Sequence, residues 1–481
     1  MKALDEKILK HFPDESVLKE KQNYSSFAGR NLPSFIKDWL VKRFTSSDGS
    51  LDETGLKNFM DTHIPSKDES ILVKLKSQSE PVKILSRFNV QVDLKNDKFK
   101  FEIPDHGITL GIGVIPDYVF RKHKDYLSEG EHWGVITLVY VPPSGKDKGN
   151  VQLIDFKAFQ PYRVDLSYFQ DARKHFSLHE WIDLIIRSME YNPDFKDPVS
   201  GFNTIEQKLL FISRLLIFVE PNLNLIELAP KGTGKSYVFG NLSKYTWMFS
   251  GGVVSRAKLL YDIAKSSPGI IENYDFVTFD EIETIKFADE DELLGALKNY
   301  LESGRFTVAN YSGTSEAGLM LLGNIQLIND WTPLSNKYFS ALPQFFQSSA
   351  LMDRIHGFIE GWKLVRLTKG LIINGLTLNV EYFSEILHKL RECSEYSKVV
   401  EDLVYTPQNA DTRDEKAVKK LATAYLKLLF PHVRSAADID KDEFNTYCLI
   451  PAMNKRRIIR EQRSYVDTEV TQEMPKITIK K

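Results

Sequence analysis

Leu223-Asn224-Leu225-Ile226-Glu227-Leu228-Ala229-Pro230-Lys231-Gly232-Thr233-Gly234-Lys235-Ser236 is the stretch that decides the fold. A short apolar run of strand type enters a turn holding two glycines and a Lys-Ser pair, and a helix-compatible segment follows. This is the pattern of a phosphate-binding loop with one departure, Ala229 standing where the pattern has Gly. Ala is small, and it sits at the strand end, away from the phosphates. Gly232 and Gly234 let the backbone close around phosphates, and the amides that open the following helix face them. Lys235 is placed to reach the β- and γ-phosphates, and the Ser236 hydroxyl to ligate Mg²⁺. Pro230, Lys231, Gly232, Thr233, Gly234, Lys235 and Ser236 are therefore the nucleotide-binding candidates.

A Gly-x-Gly-Lys-Ser run arises by accident in roughly a few per cent of chains this long, given Gly near ~7% of residues. A second element is needed, and it comes about 45 residues on. Phe276-Val277-Thr278-Phe279-Asp280-Glu281 is a buried-strand pattern ending in two carboxylates. Asp280 suits the Mg²⁺ shell and Glu281 the general base that polarises an attacking water. Two such motifs in this order and spacing predict a parallel α/β domain that binds ATP with Mg²⁺.

Further on, Asp289–Glu302 reads as an acidic helix. Gly304–Tyr311 and Glu316–Leu322 then flank Ser312-Gly313-Thr314-Ser315 as a hairpin leading into a strand that ends at Gly323-Asn324. Asn324 at that tip would sit between the two motifs and orient water against the γ-phosphate, as the sensor-1 residue of AAA+ proteins does. Arg354, following a helical segment, stands where those proteins carry the arginine finger that completes a neighbouring subunit's site; a salt bridge to Asp353 is the other reading. Arg413, opening the helix before Ala417-Val418, is the sensor-2 candidate or a surface arginine at a helix start.

The chain has 481 residues, too many for one ordinary core, with 42% hydrophobic and 27% charged residues. A net charge of −2 provides no global attraction to nucleic acid, so such binding would need local basic patches. Two cysteines without metal-like spacing argue against a disulfide framework or a zinc site. The N-terminus lacks an apolar signal core and no run approaches the ~18 apolar residues of a membrane span, so a cytoplasmic protein without membrane contact is expected.

The expected organisation has six segments. Residues 1–85 are helical, and 86–175 are β-rich, forming a small barrel or sandwich of the OB-like kind. Two hairpins support that: Val90–Leu94 with Phe99–Ile103 across Asn96-Asp97, and Gly134–Val141 with Val151–Phe159. Residues 176–200 are a connecting helix, opened by the capping box Ser177-Leu178-His179-Glu180, and a turn-rich linker Asn192–Pro198 that is the best domain boundary. Residues 201–365 are the α/β core, 366–465 a helical lid and 466–481 a charged tail.

Together these residues resemble the BrxL family, the Lon-protease-like AAA+ proteins of BREX phage-defence systems. The similarity runs from Phe176 to about Arg463 and includes Ala229–Ser236, Tyr245–Gly252, Phe279-Asp280-Glu281, Gly323-Asn324-Ile325 and Arg413–Pro431. The resemblance implies an AAA+ core related to MCM helicases, hexameric rings that stack in pairs in some members, binding of double-stranded DNA through the ring, and other BREX components as partners. Longer members continue into a Lon-like proteolytic domain with a Ser–Lys dyad. Only Val466–Lys481 follows the helical region here, so peptidase activity is not expected.

On this reading the hairpin's Arg305 points into the ring's pore, while Lys122, Lys146 and Lys148 of the β-rich region add contacts to the DNA backbone. Taken singly, these are also ordinary solvated charges. The basic run Asn454–Arg463 is either a nucleic-acid face or an intersubunit ion-pair strip. The competing function is a protein-remodelling ATPase, for which Lys244–Phe249 would be an aromatic pore loop, although a core strand suits its apolar density better.

Overall fold

The computed structural model describes the chain apart from residues 1–2, 28–31, 47–49, 66–69, 78–79, 94–95, 125–126, 128–129, 146–147, 160–163, 199–200, 265, 289, 329–331 and 481. Two compact units emerge: residues 20–163, and residues 1–19 together with 164–481. This grouping differs from the six expected segments. Helices Ser34–Phe44, Glu53–His63 and Ile71–Ser77 belong with the β-rich region, and the Asn192–Pro198 turn lies inside the larger unit. That turn is held by Asn192 N donating to Leu371 O, and the Phe195 ring lies 2.3 Å from where a Gly370 Cβ would stand. A turn packed this closely is no hinge between domains.

In the smaller unit, strands Val82–Asp93, Lys98–Glu102, Gly113–Ile115, Gly130–Val141 and Asn150–Ala158 close into a barrel. Numbered in chain order they run 1-2-3-5-4, with the third and fifth parallel and the other pairs antiparallel. Both expected hairpins are present, with Leu94 of the first lying outside the described residues. Phe88, Phe101, Ile136, Leu153 and Phe156 fill the interior. Lys122 is paired with Asp155 at 2.9 Å, Lys148 is exposed, and Lys146 lies outside the described residues. On the helix Ser34–Phe44 the exposed Arg43 lies over the Trp39 and Phe59 rings.

The larger unit is built on five parallel strands: β1 (Leu225–Ala229), β2 (Thr246–Ser250), β3 (Phe276–Asp280), β4 (Gly318–Asn324) and β5 (Gly357–Glu360), in the order β5-β1-β4-β3-β2. The central strands are buried throughout or nearly so, as parallel strands covered on both faces must be, which is why they read as near-continuous apolar runs. Lys244–Phe249 thus supplies the edge strand β2, not a pore loop.

A correction concerns the hairpin before β4. It pairs Arg305–Val308 with Tyr311–Thr314, and the chain reverses at Ala309-Asn310 with Ala309 at φ 51°. Ser312–Ser315 has turn composition, but three of its residues are in the second strand of the hairpin, where Gly313 lies flat against Phe306. Arg305 opens the first strand, at the hairpin's foot.

Helices Val380–Arg391, Glu395–Leu403, Thr412–Leu429 and Ile450–Ser464 follow the sheet. The last holds the basic run, which neither expectation describes. Arg456 is fully buried and reaches Asp414 at 2.6 Å and Asp353 at 2.8 Å, Arg463 reaches Asp353 at 2.5 Å, and Arg460 pairs with Asp414. These arginines are spent inside the chain. The tail is also tied down, with Thr478–Ile479 pairing with Val404–Tyr405. At the other terminus Ser16–Lys19 adds a strand to Gly375–Leu378. None of the described helices is long and apolar enough to cross a membrane.

Candidate functional site

Inserting β4 between β1 and β3 brings three chemically distinct strand ends together at the carboxyl edge of the sheet, where open α/β sheets bind ligands. Asn324 stands in register with Ala229, directly before the glycine loop, and Asp280 ends the neighbouring strand. Lys235 Nζ donates to Asn324 Oδ1 at 2.7 Å, so the loop lysine and the strand-tip asparagine are joined. Burial lowers the Lys235 ammonium's pKa, and the carboxylates of Glu227, Asp280 and Glu283 pull it back up.

The loop has the shape its glycines require. Gly232 and Gly234 have φ of +84° and +70°. Nothing lies within 4 Å of a Cβ built on Gly232, leaving open space on that side. Gly234 is different: its missing Cβ would stand 2.0 Å from the Tyr191 hydroxyl, so no other residue fits there. Thr233 is buried and Lys231 exposed. The loop is braced from beneath by Arg214, fully buried, which donates from Nε to Glu227 at 2.8 Å and from Nη1 to Thr233 O at 2.9 Å. Leu367 N closes the other side on Gly232 O at 2.7 Å.

Past Asp280 the backbone is strained. Glu281 adopts φ 51°, uncommon for a residue with a side chain. The strain is held in place by its neighbours: Glu281 N donates to Asp280 Oδ1 at 2.9 Å, and Glu281 O accepts from the Thr284 amide and hydroxyl. The Glu281 carboxylate is left exposed at the carboxyl edge. Ile282–Thr284 then forms one tight turn, from which Glu283 reaches Asn324 and accepts a hydrogen bond from its Nδ2.

These residues fit a magnesium-bound triphosphate. The open glycine turn and Lys235 suit phosphate oxygens, and the hydroxyl of Ser236 with the carboxylate of Asp280 are the hard oxygen donors that Mg²⁺ prefers.

Two expected members lie elsewhere. Arg354 and Arg413 are at the amino ends of the strands, one strand length or roughly 16 Å from the loop, since Arg354 O accepts from Asn224 just before β1. Arg354 donates to Lys298 O at 2.7 Å and Ala350 O at 2.6 Å and lies 3.6 Å from Glu302. Arg413 reaches the same Glu302 at 3.0 Å and Asp353 at 2.8 Å. Arg354 is thus not Asp353's partner, and Arg413 cannot serve as a sensor on the loop of its own chain. Three contributors were not singled out from sequence: Glu283, Arg214 and Tyr191. Only the first two left a trace there, as a third acid after Asp280-Glu281 and as the partner that Glu227 needs inside an apolar strand.

The family model described as "Lon-like protease BrxL-like, ATPase domain" matches residues 151–475, a span that contains the whole sheet and both arginines. This chain belongs to the BrxL family. A second model, of the BREX system Lon protease-like protein BrxL N-terminal domain, matches residues 10–140. The protein named Lon-like protease BrxL from Escherichia coli O9:H4 (strain HS) is 27% identical over 490 residues, covering 98% of this chain and 68% of its own length. Its namesake from Bacillus cereus (strain H3081.97) is 27% identical over 472 residues, covering 96% and 67%. The chain therefore spans about two thirds of these BrxL relatives and carries the family's ATPase domain.

Proposed function

We propose that this chain hydrolyses Mg·ATP between subunits of a hexameric ring, single or stacked in pairs, and uses the cycle to clamp or move along double-stranded DNA in BREX-type phage defence. The observation that carries the reading is the separation just described: Lys235, Asn324, Asp280 and Glu281 share one edge of the sheet, and Arg354 and Arg413 share the other. A second copy placed edge to edge would bring the arginines to the phosphates.

Pro230–Ser236 would hold the nucleotide and Ser236 with Asp280 the Mg²⁺, which neutralises phosphate charge when bound. Glu281 takes a proton from water as the water oxygen bonds to the γ-phosphorus; the bond to the β,γ-bridging oxygen breaks and its electron pair leaves with ADP. Arg354, with Arg413 beside it, stabilises charge on the neighbour's γ-phosphate. Peptide-bond hydrolysis is not part of this reading. Neither is an aromatic pore loop, whose segment is the β2 strand, and this favours DNA over a protein substrate.

For the DNA itself the candidates are Arg305 and the barrel's Lys122 and Lys148, the barrel strand order being OB-like. The Asp155 partner of Lys122 weakens that residue's case. Other BREX proteins are the further partners. Duplex-DNA gel shifts across a salt series test the reading: binding should fall steeply with salt, and negligible binding at low salt would remove it. Negative-stain imaging with a slowly hydrolysed ATP analogue should show rings, and a strictly monomeric species would contradict the shared site.

A further inference from the structure

We propose that Glu283 is a positioning residue for ATP hydrolysis, fixing which end of the Asn324 amide is presented to the attacking water. This rests on the hydrolysis reading above and adds to it a residue outside the nucleotide loop.

An asparagine amide has two chemically opposite ends of nearly equal size, and its terminal torsion is soft. Something must select one. The Lys235 ammonium can only donate, so the atom it meets at 2.7 Å is the carbonyl Oδ1. A carboxylate can only accept, so the atom bonded to Glu283 is the amide nitrogen. Both neighbours demand the same orientation, with the oxygen toward the phosphate loop. Glu283 is held for this task by its short turn. Ile282 beside it is fully buried, with a methyl 3.2 Å from where a Gly323 Cβ would stand, and Glu283 Oε2 is 3.5 Å from the same point. The acid thus lies against the end of strand β4, over the residue that precedes Asn324.

The consequence appears when nucleotide binds. Lys235 is drawn to the phosphates and Asn324 Oδ1 loses its donor, while Nδ2 stays on Glu283. The freed oxygen then accepts one O–H of the water and leaves the other proton for Glu281. Without Glu283 the amide can turn over and present N–H groups, which would bind the γ-phosphate instead of holding the water. The defect should fall on the chemical step, where a misplacement of about 1 Å can cost ~100-fold.

Steady-state ATP hydrolysis and nucleotide calorimetry on the full chain test this, using Glu283→Ala, Glu283→Asp, Asn324→Ala, the Glu283→Ala/Asn324→Ala double variant and Glu281→Gln. The expected result is a kcat lowered roughly 10- to 100-fold in Glu283→Ala with ATP affinity kept, and partial recovery in Glu283→Asp. The double variant should fall no further than about twofold below Asn324→Ala alone, because Glu283 acts through that residue. Retained affinity also reports that the variants fold. Three results would overturn the inference: an unchanged kcat in Glu283→Ala, losses that multiply in the double variant, or activity that survives Glu281→Gln but not Glu283→Ala, which would make Glu283 the base itself. If the native chain binds ATP but does not hydrolyse it, the hydrolysis reading fails first and takes this one with it.

Discussion

At the carboxyl edge of the sheet Lys235 reaches Asn324 and Asn324 reaches Glu283; at the amino edge Arg354 and Arg413 converge on Glu302. Both groups are charged, and both draw on segments distant in sequence. They differ in what holds them. In the first group Lys235 follows a glycine turn that is open on the Gly232 side, so it can exchange its amide partner for a phosphate at little cost. The second is tied to carbonyls and carboxylates of its own chain: Arg354, whose side chain is 15% exposed, to Lys298 O and Ala350 O, and Arg413, 43% exposed, to two acids. An arginine spent in this way acts on a neighbour only by exchanging those partners for phosphate oxygens. On the proposed reading, ATP is bound by groups ready in one chain, while hydrolysis waits for a second.

Breaking the amino edge should give the largest effect. Arg354→Ala should lower ATP turnover by about 1,000-fold or more while calorimetry finds nucleotide affinity unchanged. Mixing that variant with inactive Glu281→Gln chains should restore part of the activity, since some interfaces then join an intact Arg354 to an intact Glu281; no recovery at any mixing ratio would place both residues in one chain's site. Next in size is the brace beneath the loop. Arg214→Met strands the fully buried Glu227 and should cost about 3–5 kcal/mol in denaturant unfolding, with the Arg214→Met/Glu227→Leu pair recovering most of it. That recovered protein should still bind ATP less well, because Thr233 O has lost its donor.

The smallest effect lies away from both edges and supplies a baseline. Burial first, then Arg173 and Lys174, push His432 down to about 4 from its ordinary 6.5. The unfolded chain therefore takes up the proton first as pH falls. The stability that neutral His432 contributes is complete above about pH 6.5 and is lost progressively toward about pH 4. Melting temperature measured across that window should decline less steeply in His432→Gln, with ATP affinity at pH 8 unaffected.

The carboxyl edge was largely legible in the sequence because its chemistry is contiguous. Glycines, lysine and serine follow one another, and Asp280, Glu281 and Asn324 each end an apolar run whose direction a parallel sheet dictates. Glu283 escaped because one acid on a short turn has no periodicity to mark it. The amino edge was half legible: Arg354 and Arg413 drew notice separately, but their meeting at Glu302 joins residues 52 and 111 positions apart. The run Asn454–Arg463 misled for the same reason. Its charge density is that of a nucleic-acid face, and only the folded chain brings Asp353 and Asp414 onto it. The hairpin turn was misplaced because Ser-Gly-Thr-Ser has turn composition, whereas the reversal falls on Ala309, a residue that seldom adopts positive φ.

Titration calorimetry of the native chain and of Lys235→Ala with ATP in magnesium buffer is the most direct test of the nucleotide site. The expected result is saturable uptake by the native chain, lost or weakened about 100-fold in the variant. Equal uptake by both, or none by folded native protein, would contradict the site.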